Sequence, residues 1–136
     1  MIKPQKILLG KGLDDLPFGL TQDQVKEVLG DPEERDQVDL GDEMSIAWHY
    51  WDLGISLNFD ESENYGLTSI DVASPEVTLF GKALIGMTRE EVKDFLDSQS
   101  IGQSVDEVHN GLVYPDVELS LWFSGGELSE IQWAKL

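Results

Sequence analysis

The sequence predicts an α+β protein of a single domain. Two tandem α-β-β-β(β) repeats, about 1–75 and about 76–136, join in one continuous antiparallel sheet. The helices lie on one face and the other face is open. Three observations predict this. Five blocks of sequence recur in the same order in both halves. Each half carries the same helix-opening signature. The remainder of each half alternates between apolar and polar residues with period two.

The recurrence begins with LLGKGL (8–13), which returns as LFGKAL (79–84). FGLTQDQVKEVLG (18–30) returns as IGMTREEVKDFLD (85–97), and DQVD (36–39) as QSVD (103–106). HYWDLGISLNF (49–59) returns as VYPDVELSLWF (113–123), and LTSIDVAS (67–74) as LSEIQWAK (128–135). The spacing between blocks drifts only by small insertions in loop-like stretches, as expected for a duplicated unit. Residues alike in both halves serve the scaffold, and residues that differ are free to serve a partner.

Each half opens on a helix. Thr21 and Thr88 are N-caps, and Gln24 and Glu91 three residues later complete capping boxes. Leu20 and Met87 staple onto Val25 and Val92. Val25, Val28 and Leu29, and likewise Val92, Phe95 and Leu96, fall at i, i+3 and i+4. Gly30 and Pro32 stop the first helix, whereas the second lacks that glycine and runs further. Helices of about ten residues are marginal alone, so each must rest on a sheet.

Strands fit near 35–40, 45–51, 102–108 and 111–114. Leu53, Ile55, Leu57 and Phe59 point one way, as do Val117, Leu119, Leu121 and Phe123. Ile70 and Val72, then Ile131 and Trp133, repeat the pattern in the last strand of each half. Gly125-Gly126 is a hairpin turn, and Asp60 to Gly66 a longer polar loop. Trp48, Tyr50, Phe59, Phe123 and Trp133 fall on the inward parity. Trp51 and Trp122 fall on the outward parity, with His49, Glu118, Asp71 and Gln132. An exposed Trp on a polar sheet face is an interface anchor; the competing reading is partial burial at the core edge or under the junction between units.

Composition excludes several functions. The 136 residues hold 9 basic and 27 acidic side chains, a net charge of -18. Nucleic-acid phosphate and anionic membrane surfaces would repel such a chain. Without cysteine there is no disulfide, thiolate metal site or thiol nucleophile. No stretch approaches a membrane span, and Met1 to Lys6 followed by Ile7-Leu8-Leu9 is too short an apolar run for a secretory signal. As given, the chain reads as cytoplasmic; the alternative, a mature form with its signal removed, would read the same apart from Met1.

No catalytic residue, metal or cofactor is expected. His49 and His109 do not correspond in the repeat and have no ligand partners at suitable spacing. Gly10-Lys11-Gly12 is a turn, not a phosphate loop, and Asp60 to Asn64 is a solvated acidic loop without an EF-hand ligand ladder. No Ser–His–Asp motif is legible.

The blocks FGLTQDQV and IGMTREEV resemble the two tandem repeats of β-lactamase inhibitor proteins, and LSLWFSGGELSEIQW is similar to their final hairpin. Comparable helix-opening motifs occur in small envelope lipoproteins of the barrel-assembly type. The resemblance implies a saddle-shaped sheet whose concave face grips a protein with aromatic side chains. It also implies a probing acidic loop residue, which the position of Gly41-Asp42 assigns to Asp42. The chain departs from that family in having no cysteine and in carrying Glu43 and Met44 after Asp42. The functional expectation is a non-enzymatic binding protein, an inhibitor or immunity protein that occludes a basic bacterial toxin or enzyme, such as a nuclease toxin. The alternatives are an assembly or scaffold protein of the envelope, an enzyme using carboxylates, and a self-associating protein that forms homodimers through an edge strand or the open face.

Overall fold

A computed structural model describes residues 4–136. The part of the N-terminal reading that falls on Met1–Lys3 lies outside the described residues. The architecture is α+β, with two helices and two largely antiparallel sheets. Strand β1 (Lys6–Leu8), β2 (Gly12–Leu13) and β3 (Leu16–Pro17) precede α1 (Gln22–Leu29). Strands β4 (Glu34–Asp39), β5 (Met44–Tyr50), β6 (Ile55–Asp60) and β7 (Gly66–Val72) follow. A short strand β8 (Thr78–Leu79) leads to α2 (Arg89–Asp97). The chain closes with β9 (Val105–Glu107), β10 (Gly111–Tyr114), β11 (Leu119–Ser124) and β12 (Glu127–Ala134).

Both helices start as the sequence dictates. Thr21 and Thr88 accept hydrogen bonds from the Gln24 and Glu91 amides, and both reciprocal side-chain bonds are made. Each cap stabilises its helix by about 1 kcal/mol. The second helix is one turn-residue longer, nine residues against eight. A tyrosine from the sheet pins each helix end: Tyr50 Oη donates to the Gly30 carbonyl at 2.8 Å, and Tyr114 Oη to Asp97 Oδ1 at 2.9 Å. Burial pushes both phenols up, Tyr50 to about 12.

The large sheet is antiparallel throughout, in the order β4-β5-β6-β7-β12-β11-β10-β9. At its centre β7 pairs with β12, with Asp71 opposite Gln132 and Ile70 opposite Trp133. A register shift falls between Asn58 and Phe59 in the β6–β7 ladder and between Trp122 and Phe123 in the β11–β12 ladder. The Gly125-Gly126 turn joins β11 to β12 with positive φ at both residues, the backbone that suits a two-residue hairpin.

Inward side chains from β5, β6, β7, β12, β11 and β10 meet α1 and α2 in one core, which includes Trp48, Phe59, Ile70, Tyr114 and Trp133. Leu13, Leu16 and Ile7 belong to the same core. They arrive on a feature the sequence did not predict, a second sheet in the order β3-β2-β1-β8. Its β1–β8 pairing is parallel, and the buried Trp133 indole donates to the Gly12 carbonyl at 3.0 Å, tying the two sheets together. Leu53 and Val117 depart from the strand expectation. They end short 3-10 turns, Trp51–Leu53 and Pro115–Val117, before the strands begin at Ile55 and Leu119. Among the described residues no helix is long and apolar enough to cross a membrane.

Candidate functional site

The outward face of the large sheet is the candidate site. Pairing registers place a row across it: Glu34, His49, Ser56, Asp71, Gln132, Ser120, Val113 and Val105. The same parity adds Asp36, Asp60, Asn58, Glu130, Trp122 and Glu107. No outward strand position carries Lys or Arg. The missing bases, not a concentration of acids, set this face apart. One whole face carries carboxylates with His49 as the only side chain able to become cationic.

Trp51 is 56% exposed, and it is held in place. Its amide donates to Glu33 Oε2 at 3.1 Å and its indole N–H to Glu34 Oε1 at 3.4 Å. The ring stacks on His49 with centroids 4.4 Å apart and planes 4° from parallel. An aromatic side chain fixed in this way loses little freedom on binding. Trp51 sits in the 3-10 turn after β5, not in the strand itself.

A cleft of about 270 Å³ opens beside it, lined by Trp51, Ser56, Asp71 and Glu130 with Gly54, Ile55, Val72 and Ala73. Burial, then the nearby Glu130 charge, push the Asp71 carboxyl up to about 6, against a hydrogen bond from Asn58 and the pull of His49. Its Oδ1 has no hydrogen-bond partner among the described residues. A buried acceptor of this kind carries an uncompensated desolvation cost. Glu130 also faces Trp122 across the β11–β12 ladder, so the acid lies between the two tryptophans. Trp122 is half-buried. Its ring lies over Gly111, where a Cβ would come within 2.6 Å of it. The glycine makes room for the indole to lie flat on the sheet.

Of the residues singled out from the sequence, Trp51, His49, Asp71, Gln132 and Trp122 share this face. Asp42 does not join them. It lies in the exposed turn between β4 and β5, at the opposite end of β5 from Trp51. Glu118 is corrected from an outward strand residue to an exposed turn residue. It terminates the second 3-10 turn at φ 52, and its carbonyl accepts from the Ala134 amide.

The sequence missed Glu130 and Asp36, and it placed Asn58 on the outward parity with Ser56 without including it in the site. Glu130 could have been found by extending the outward parity of Gln132. Asp36 could not, because its role depends on register. His49 Nε2 contacts Asp36 Oδ2 at 2.9 Å and Nδ1 contacts Ser56 Oγ at 2.8 Å. This Ser–His–Asp connectivity has the form of a nucleophile, a base and an orienting acid. In the adjoining cleft the Gly54 amide donates to the Trp51 carbonyl and the Ala73 amide to the Gly54 carbonyl. Among the described residues no group of three or more His, Asp or Glu is placed to hold a metal ion.

No family model matches the sequence, and no curated protein matches it. Among solved structures, the fold is similar to that of an extracellular protein containing a SCP domain from Bacillus anthracis str. Ames. The match has 15% identity and a TM-score of 0.53, and covers 99% of this chain and 50% of that one. The chain thus spans about half the length of that protein, and at this identity the likeness is one of α+β fold alone.

Proposed function

We propose that the chain is a non-enzymatic binding module that docks a basic protein on the outward face of its large sheet. The carrying observation is that this face presents Glu34, Asp36, Asp60, Asp71, Glu107 and Glu130 with two tryptophans and no Lys or Arg. Like-signed carboxylates steer a cationic partner and repel anionic ones. Trp51, rigid and exposed, supplies the apolar anchor. An inhibitor or immunity protein acting on a basic toxin or enzyme in the cytoplasm is the form of this reading we adopt.

The module is built from two copies of one unit, about 1–75 and about 76–136. The matched capping boxes, tyrosine pins and register shifts support this. So do two equivalent pairs of backbone bonds, Gly19–Leu67–Leu20 and Gly86–Leu128–Met87. Asp71 and Gln132 occupy the same place in the two copies and pair with each other, which puts the local two-fold axis through the middle of the docking face. Self-association through a sheet edge is less favoured: edge strand β4 carries Glu34, Arg35, Asp36 and Asp39, and charge blunts strand addition.

The test is capture from the source cell at low and high salt, with wild type, Trp51→Ala and Trp122→Ala in parallel. A basic protein held by wild type, released by salt and weakened about 30-fold or more by Trp51→Ala supports the reading. Undiminished binding by both variants overturns it. The Ser56–His49–Asp36 contacts favour a second reading, ester or amide hydrolysis. That reading requires turnover of p-nitrophenyl acetate above the buffer rate that Ser56→Ala abolishes.

A further inference from the structure

The lysines of the described chain are not distributed like its acids. Lys26, Arg35, Arg89, Lys93 and Lys135 each form an ion pair, and Lys82 lies over the Phe95 ring at 5.2 Å. The Lys6 and Lys11 ammonium groups form no ion pair among the described residues, in a chain with three acids for every base, although the Lys6 amide donates to Asp14 Oδ2 at 2.9 Å. Both line one cleft of about 500 Å³ on the small sheet. The floor is apolar, with Ile7 and Leu79 buried. Its walls include Leu8 and Phe80, 42% and 45% exposed, which are among the few large apolar side chains the protein leaves in solvent. Phe80 reaches that position from a backbone with φ 52, a conformation that is uncommon for a residue other than glycine.

We propose that this cleft binds a small monoanionic amphiphile, an acyl chain ending in a carboxylate, with the chain between Leu8 and Phe80 and the carboxylate at Lys6 and Lys11. The volume is in the range of small-ligand sites. Two unneutralised ammonium groups beside an apolar floor complement that chemistry. The net charge of the protein decides between a small ligand and an acidic peptide. A polyanionic partner meets the repulsion of 18 excess negative charges, whereas a single carboxylate meets little of it. The cleft uses none of the residues of the outward face, so the site stands or falls separately from the docking proposal.

The experiment is calorimetric titration with dodecanoate below its micelle concentration, alongside dodecanol and dodecyltrimethylammonium, with backbone amide NMR shifts to locate the site. Expected is saturable one-to-one binding of dodecanoate, with shifts at Lys6 to Lys11 and Thr78 to Gly81. The double variant Lys6→Gln/Lys11→Gln should weaken it about tenfold, as two exposed charge contacts would. Phe80→Asn removes the ring while keeping a residue that tolerates positive φ, and should also weaken it; Trp51→Ala should not. Circular dichroism melts verify that each variant is folded. The proposal is overturned if dodecanoate does not saturate. It is overturned if dodecanol or the cation binds as tightly, if the shifts fall on the outward face, or if an acidic apolar peptide binds the cleft more tightly than dodecanoate.

Discussion

Replacing Asp71 by Asn should make the protein more stable at neutral pH, and the gain should depend on pH. The carboxyl is raised from 3.8 to about 6, first by burial and then by Glu130. For an acid this direction means that the folded state holds the proton more tightly than the unfolded chain. Folding therefore takes up a proton between about pH 4 and pH 6, and stability from this group falls as pH rises through that window. Above it the ionised side chain costs about 3 kcal/mol, from the difference between the two values. Asn keeps the shape without the charge but still places a polar atom where Oδ1 lacks a partner. The net gain is on the order of 1–3 kcal/mol at pH 7.5, shrinking towards zero at pH 4. Urea unfolding of both proteins at half-unit steps from pH 4 to 7.5 measures it. The difference between the two curves matters, because many other carboxylates titrate equally in both. A difference that stays flat with pH, or an Asn variant less stable at pH 7.5, would refute the reasoning.

Removing either helix cap, by Thr21→Ala or Thr88→Ala, should cost about 1 kcal/mol in urea unfolding. The double variant should cost the sum, and a double no worse than one single would show that the caps do not act independently. Trp133→Phe deletes the indole bond to the Gly12 carbonyl in the core and should cost about 1–3 kcal/mol. A loss under about 0.5 kcal/mol would mean that this bond does not hold the two sheets together. Trp51→Ala should cost about 1 kcal/mol or less, the loss of the His49 stack and the indole bond from a ring more than half exposed, so thermal melts can separate its binding defect from misfolding.

The large sheet and both helices were legible because their signals are local and repeated. Capping boxes are four-residue patterns, and the alternation in Ile55 to Phe59 or Leu119 to Phe123 needs no partner to be seen. The small sheet was not legible. Gly12–Leu13, Leu16–Pro17 and Thr78–Leu79 are too short to show a period, and the β1–β8 pairing joins residues from opposite halves of the chain. The 3-10 turns hid for the opposite reason: Leu53 and Val117 extend the apolar alternation, although the backbone has left the strand. In the candidate site, parity found the face bearing Trp51, His49, Asp71, Gln132 and Trp122. It could not supply register, and register alone brings Asp36 to His49 and Glu130 to Trp122.

Hydroxyl-radical footprinting of the complex with the captured partner tests the docking face most directly. Oxidation of Trp51 should fall strongly on complex formation at low salt and recover at high salt, while Phe95 on α2 keeps its reactivity. Unchanged Trp51 oxidation in a fully formed complex, with protection on the helices instead, would contradict the assignment.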